Sequence, residues 1–249
     1  MKILGIIPAR YASSRFPGKP LVMIDGKSMI QRVYEQAMRC RELSSLVIAT
    51  DNEIIEKHIK TFDGNGIMTS VHHKSGTERC QEVLEKLSSD QEHNFDVVIN
   101  IQGDEPFIDP GQISELAGTF RNPEVRLATL VKRIKSPEEL TNPNVVKVIF
   151  DKNFRAIYFS RSALPYFRGK EISEWLDQSD YFKHIGIYGY RPETLREIVK
   201  LAASPLETAE SLEQLRWIEN GYPMQIRETE FESFAIDTPA DLLKITNTA

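Results

Sequence analysis

Residues 44–60 read SSLVIATDNEIIEKHIK, and their periodicity changes partway along. Positions 46–49 form a short, continuous apolar run, the pattern of a buried strand, whereas Ile54, Ile55 and Ile59 fall at the spacing of one helical face. A strand running straight into a helix is half of a βαβ unit, and the same order recurs on both sides. Upstream, residues 2–8 are an apolar strand, a polar loop follows, and Ser28 opens a helix. Gln31 stands three positions on, and Ile30, Val33, Tyr34, Ala37 and Met38 mark one helical face. Downstream, NGIMTSV (65–71) reads as a strand, TERCQEVLEKL (77–87) as a helix and FDVVINIQ (95–102) as a fourth strand. This alternation predicts an α/β fold, a mixed, mostly parallel sheet flanked by helices, in which ligands bind beyond the carboxyl ends of the strands.

Past a helix at 110–120 the pattern alters. VRLATLVKRI (125–134) and VVKVIFDKNFRAIYFSR (145–161) are strand-like, and the second turns back at Asp151 to Asn153, so antiparallel pairing is expected here. FKHIGIYGYR (182–191) is a further strand, 192–201 and 205–220 are one helix each, and 224–229 is a strand. DTPADLLKI (237–245) closes with a helix capped by Thr238 and carrying Pro239 in its first turn. No repeat or flexible linker divides the chain. One domain over 1–249 is expected, with an embedded antiparallel subregion at 131–190.

The 249 residues are ample for a full hydrophobic core, and 41% hydrophobic with 27% charged residues is ordinary for a globular enzyme. A net charge of -5 argues against a general nucleic-acid or membrane-surface binder, so any anion site must be local. Cys40 and Cys80 both fall in helix-like patterns and read as reduced thiols. The opening MKILGIIPA is too short for a secretion signal, and no window approaches the ~18 apolar residues of a membrane span, so a cytoplasmic protein is expected.

The local anion site suggests itself at 6–21, IIPARYASSRFPGKPL, where Arg10, Arg15 and Lys19 follow the first strand directly. Two prolines and Gly18 stiffen this loop and let its backbone approach a ligand closely, as phosphate-holding loops do. It is not a Walker loop, because Ser13 and Pro20 occupy positions that motif reserves for Gly and for Ser or Thr. NIQGDEP (100–106) places Asp104 and Glu105 after a buried strand, where acidic groups need a cation or donor. Magnesium takes one or two carboxylates plus substrate phosphate oxygens, and neighbours in an extended segment point apart, so only one of these two is a ligand. Asp237 in AIDTPADL (235–242) is its candidate partner, although Asp before Thr-Pro is also an ordinary helix cap. HHKSGTER (72–79) offers hydroxyls and backbone donors at a helix start, which alone is weak. Arg161 suits a carboxylate ligand; His184, Tyr188, Glu213 and Gln214 are polar groups beside strand or helix patterns that could read hydroxyls or serve the core and surface.

Taken in order, IPARYASSRFPGKPL, HKSGTER, NIQGDEP, NPNVVKVIFD, YFSR, KHIGIYGYR, SPLE, LEQLR and DTPADL resemble the 3-deoxy-D-manno-octulosonate (KDO) cytidylyltransferase family over essentially the whole chain. The resemblance implies a nucleotide-diphospho-sugar transferase type of fold, a homodimer, and transfer of CMP from CTP to KDO with release of pyrophosphate, for lipopolysaccharide synthesis. It implies that Arg10, Arg15 and Lys19 hold the triphosphate, with Lys19, Arg15, Asp104 and Asp237 catalytic. Lys74, Ser75 and Asp104 would also line the nucleotide site, and Asp104 and Asp237 would bind Mg2+. Gln102, Arg161, His184, Tyr188, Glu213 and Gln214 would form the sugar pocket, with the subregion at 131–190 serving both sugar binding and dimerisation. Lys74 stands where the family usually has Gln, while Glu78 and Glu105 are similar to the KDO type rather than to enzymes of 8-amino sugars or sialic acid. A CTP-binding protein without activity is the competing reading, and it leaves the sugar-facing set unexplained.

Overall fold

The first apolar run becomes β1 (Ile3–Ala9) of a computed structural model that describes residues 1–12, 16–88, 94–232, 234–236 and 238–246. A small antiparallel hairpin, β2 (Met23–Ile24) and β3 (Lys27–Ser28), leads into α1 (Met29–Ala37), and it turns through Asp25 and Gly26, both at positive φ. The strand-helix alternation then continues as β4 (Ser45–Thr50), α2 (Glu53–Lys60), β5 (Gly66–Met68), α3 (Gly76–Ser88), β6 (Val97–Asn100) and α4 (Pro110–Thr119). Each helix start has a local cause: the side chains of Ser28, Asn52 and Asp109 accept first-turn N–H groups of α1, α2 and α4.

The second half holds β7 (Leu127–Arg133), α5 (Pro137–Thr141), β8 (Lys147–Phe150), β9 (Ala156–Ser160), α6 (Trp175–Gln178) and β10 (Phe182–Tyr190). It ends with α7 (Pro192–Ile198), α8 (Pro205–Glu210), α9 (Glu213–Glu219), β11 (Gln225–Glu228) and α10 (Pro239–Thr246). Thr238 caps α10 through Asp241, as expected. The single helix expected over 205–220 is instead two. Ser211 adopts a left-handed conformation (φ 52°), which ends α8, while Glu210 and buried Leu212 are drawn into contacts that a continuous helix could not make.

The main sheet runs β11-β7-β10-β6-β1-β4-β5, and along that path only β10 opposes the others, so the sheet is mixed and mostly parallel. β8 and β9 form an antiparallel hairpin attached to β10. One edge of β10 is shared: β8 pairs at Phe182 and Lys183, β6 pairs from Tyr188 to Tyr190, and the ladder with β7 shifts register between Ile185 and Tyr188. The sheet therefore forks beside residues 184–187.

Alternation along β1 sorts the core into two layers. Ile3, Ile7 and Ala9 pack with apolar residues of α1, α2 and α4, whereas Leu4 and Ile6 pack with those of α3, α7 and α9. Helices cover both faces, which leaves the carboxyl ends of β1 and β6 and the fork in β10 as the places where loops meet.

Candidate active site

The loop after β1 is closed by Gly18, whose left-handed backbone (φ 70°) suits glycine and whose N–H donates to the carbonyl of Tyr11 at 3.1 Å. This turn starts a short 3-10 segment, Lys19–Leu21, and aims Lys19 back across the sheet ends. Its ammonium lies 2.7 Å from Asp104 Oδ2, with the two side chains 14% and 25% exposed. Gly103 makes that approach possible, because a Cβ there would sit 2.6 Å from the backbone oxygen of Pro8. On the other side, the Ile236 N–H donates to the Asp104 carbonyl at 2.9 Å, and Ile236 is buried with Ile24, Met29 and Phe16. Glu105, by contrast, is buried at 6% exposure. Arg10 is exposed at the end of β1 and makes no hydrogen bond or ion pair with a described residue. Arg15 and Asp237 lie outside the described residues.

A second wall begins at α3. Gly76 lets the helix start press on the sheet, since a Cβ there would be 3.4 Å from both Asn100 Nδ2 and Pro8. The turn before it is tied down by acids of the same helix. Lys74 N–H donates to Glu78 at 2.7 Å, the Glu78 N–H donates to Ser75 Oγ at 3.2 Å, and Ser70 N–H donates to Glu82 at 2.8 Å. Burial alone would raise the Glu82 carboxyl, but Lys86, Ser70 N–H and His73 outweigh it and hold it at about 2. Lys74 itself projects into solvent, with Ser75 half-buried beside it.

Thr77, one residue into α3, donates its hydroxyl to Glu213 Oε2 at 2.8 Å and so joins this turn to α9. Glu213 heads α9, and one turn later Trp217 packs edge-on to Tyr188 at 5.3 Å between ring centres. Tyr188 is the cross-strand partner of Asn100, and its ring also meets that of His184 at 5.3 Å, which in turn meets Phe159 of β9 edge-on at 5.0 Å. Asn100, Thr77, Glu213, Tyr188 and His184 thus form a continuous surface from α3 to the fork in β10. Gln102 reaches the same place, its Cγ lying 3.6 Å from where a Cβ on Gly186 would be.

Burial sets the protonation of this wall. It raises the Glu213 carboxyl above the usual carboxylate range, against the lowering effect of the Thr77 and Ser75 hydroxyls. It raises the Tyr188 phenol strongly, helped by the negative charge of Glu213, and it presses His184 down to about 3. Thr129 Oγ1 fixes the imidazole tautomer. Its single proton serves the carbonyls of Ile187 (2.7 Å) and Ile185 (3.1 Å), so it accepts from His184 Nε2 at 3.0 Å and leaves Nδ1 as an acceptor. Three buried polar atoms here lack a described partner, Asn100 Oδ1, Gln214 Nε2 and the hydroxyl of Tyr190, whose ring stacks on Tyr188, a condition that suits a site for polar ligands.

Arg161 stands just past β9, two residues beyond Phe159. Three of its five N–H donors are held by carbonyls, Nε by Glu210 at 2.7 Å, Nη1 by Pro143 at 3.0 Å and Nη2 by Ser211 at 3.5 Å, so its guanidinium is fixed in place. The structure therefore joins Lys19 with Asp104, and His184, Tyr188 and Glu213 with one another. Thr77 was read as a possible donor to a ligand and instead donates to Glu213, while Asn100 and Thr129 are contributors that the sequence reading did not single out. Asn100 alone left a trace, as a polar residue ending the otherwise apolar strand VVIN. A separate cavity of about 730 Å³, lined by Ile3, Arg41, Asp96, Phe120, Arg121 and Arg191 among others, lies at the opposite, amino-terminal edge of the strands and shares no residue with this cleft.

A cationic loop after the first strand, an aspartate after the fourth parallel strand and a wall of hydrogen-bonding groups define a nucleotidyltransferase. A family model for cytidylyltransferases matches residues 4–230. The chain is 52% identical to the 3-deoxy-manno-octulosonate cytidylyltransferase of Parabacteroides distasonis, over 98% of this chain and 96% of that one. It is also 52% identical to the enzyme of the same name from Bacteroides thetaiotaomicron, over 97% and 96%. Among solved structures, CMP:2-keto-3-deoxy-manno-octonic acid synthetase complexed with CTP superposes with a TM-score of 0.89 at 40% identity, covering 100% of this chain and 98% of that one. The chain belongs to the 3-deoxy-manno-octulosonate cytidylyltransferases of the cytidylyltransferase family.

Proposed function

We propose that the protein transfers CMP from CTP to KDO, giving CMP-KDO and pyrophosphate for lipopolysaccharide synthesis. The observation that carries this reading is the convergence at the end of β6. Asn100 touches the first turn of α3 and pairs with Tyr188, and four residues on Asp104 holds Lys19. A phosphate-facing cation and a hydroxyl-reading wall so close together suit the joining of a nucleotide to a sugar.

In this reading the cytosine lies against the turn at Lys74 and Ser75, and the triphosphate runs along the loop of Arg10, Arg15 and Lys19. The sugar carboxylate pairs with the N–H groups of Arg161 not committed to carbonyls. His184 Nδ1 accepts a hydrogen bond from a sugar hydroxyl, the neutral Tyr188 phenol donates one, and Gln102, Glu213 and Gln214 fix further hydroxyls. The anomeric hydroxyl gives up its proton to solvent as its oxygen attacks the α-phosphorus in line, and the bond from that phosphorus to the bridging oxygen breaks. The electron pair departs with pyrophosphate, whose growing charge Lys19 and Arg15 stabilise.

Both substrates are anions, and Asp104 is a partly exposed carboxylate that faces them across Lys19. No group of three His, Cys, Asp or Glu side chains capable of caging a metal occurs among the described residues. That sparse donor set fits magnesium, which keeps waters and takes substrate phosphate oxygens, so Asp104 together with Asp237 would hold it. Bound there, it would polarise the phosphate and acidify the attacking hydroxyl.

A homodimer is part of the proposal, supported by the exposed apolar residues Ile157, Tyr166 and Ile172 of the antiparallel region. So is a cytoplasmic setting, where CTP is made; no helix among the described residues is long and apolar enough to cross a membrane. The test is pyrophosphate release from CTP and magnesium with KDO, 8-amino-KDO or sialic acid. KDO should give the highest kcat/KM, and release with none of the three would refute the activity.

A further inference from the structure

Glu210 belongs to no role assigned so far, yet it makes three hydrogen bonds to two consecutive residues at the end of β9. Its Oε1 accepts the Ser160 hydroxyl at 2.7 Å, its Oε2 accepts the Arg161 N–H at 2.9 Å, and its backbone oxygen accepts Arg161 Nε at 2.7 Å. The Ser160 side of this junction is sealed, at 2% exposure. Directly after Glu210 the chain turns through left-handed Ser211, whose carbonyl takes Arg161 Nη2, and buried Leu212 then delivers Glu213 and Gln214.

A second cation holds the same turn that Arg161 holds. Lys147 is fully buried, and its ammonium donates to the carbonyls of Asn142 (2.8 Å) and Val145 (2.6 Å), while Arg161 Nη1 holds Pro143 between them. No carboxylate among the described residues lies within ion-pair distance of Lys147. Burial depresses its pKa, and the nearby charge of Glu210 works against that depression. The turn at 142–145 is thus held by two cations, Lys147 on Asn142 and Val145 and Arg161 on Pro143.

We propose that Glu210 is a positioning residue for the sugar acid, holding Arg161 and the start of α9 as a single rigid unit so that the carboxylate-binding and hydroxyl-reading groups keep a fixed separation. The inference rests on the assignment of Arg161 and Glu213 to the sugar-acid pocket. It deepens that assignment, because the Glu210 carboxylate adds a side-chain tie between two groups 52 residues apart in sequence. A role confined to folding would lower stability without separating the two substrates.

The test compares Glu210→Ala and Glu210→Gln by steady-state kinetics, with CTP binding measured calorimetrically in the absence of sugar. The amide of Gln can replace both side-chain contacts, its oxygen facing the Arg161 N–H and its NH2 facing a Ser160 hydroxyl rotated to accept. Glu210→Ala should raise KM for KDO roughly tenfold or more, the equivalent of one misplaced charge-assisted hydrogen bond, with CTP affinity within about twofold of wild type. Glu210→Gln should bring KM back to within about threefold. An unchanged KM for KDO in Glu210→Ala, or equal loss of both substrates that Gln does not rescue, would overturn the proposal. If Glu210→Ala does not fold, Ser160→Ala decides, with about a threefold rise in KM for KDO expected and no change overturning the idea. Wild-type enzyme that releases no pyrophosphate would refute the activity itself, whereas active wild type with indifferent variants would refute only the role of Glu210.

Discussion

Lys19→Ala is the most informative single change, because the structure pairs this ammonium with Asp104 and the proposed function gives it the triphosphate as a second partner. Without substrate it sits 2.7 Å from Asp104, partly exposed. Two unit charges ~4 Å apart interact by about 4 kcal/mol at an effective dielectric of ~20, but solvent and side-chain entropy reduce the net worth of such a partly exposed pair to about 1 kcal/mol. Loss of the pair should therefore barely change the unfolding midpoint. The larger effect comes when the ammonium faces the leaving pyrophosphate. Removing one preorganised donor from a developing anion costs about 3–4 kcal/mol of transition-state stabilisation, or roughly 10²–10³ in kcat. Steady-state pyrophosphate release at saturating CTP and KDO measures this directly, and Lys19→Arg, which keeps the charge on a different shape, should fall between Ala and wild type. A Lys19→Ala enzyme with kcat within about fivefold of wild type would refute the assignment, as would equal losses of kcat and thermal stability.

Gly103→Ala should destabilise the protein by about 1–3 kcal/mol and depress kcat, because the new methyl meets a backbone oxygen, that of Pro8 at 2.6 Å; urea unfolding and the turnover assay check both. Glu213, whose carboxyl burial raises, stays protonated to higher pH when folded than when unfolded, so its contribution to stability is full in acid and fades as pH rises through the folded value. Glu213→Gln should accordingly gain stability relative to wild type as pH rises from acid through the raised folded value, and melting curves of the two that stay parallel with pH would contradict the sign. Glu207 behaves oppositely. Its hydrogen bonds to Arg216 at 2.5 and 2.7 Å lower its pKa against the effect of burial, so Glu207→Gln should cost about 1–3 kcal/mol at neutral pH and approach wild type as the pH falls through the depressed value.

What was legible in the chain was what short-range physics decides. The apolar runs of β1, β4 and β6, the Ser28 and Thr238 caps, the turn at Asp151–Asn153 and the cation loop with Asp104 beyond the strand ends all rest on periodicity or local hydrogen bonding. What was hidden depends on partners distant in sequence. The break at Ser211 runs against a helical pattern, because Glu210 finds Ser160 and Arg161 across a separation of about 50 residues. Glu213 looks like any acid on a helix face until Thr77 is placed 2.8 Å away. Thr129 looks like one more β-branched strand residue until the register shift in β10 turns two carbonyls and an imidazole toward its hydroxyl. Asn100 and Gln214 acquire meaning only once burial leaves their polar atoms unpartnered.

The account stands most directly on where the nucleotide lies, and a crystal structure of the protein with CTP would show it. The predicted result is cytosine against the turn at Lys74 and Ser75, Lys19 Nζ moved from Asp104 onto the triphosphate, and the α-phosphate facing the side of the cleft formed by Tyr188 and His184. A triphosphate bound away from Lys19, or one whose α-phosphate faces away from that wall, would contradict it.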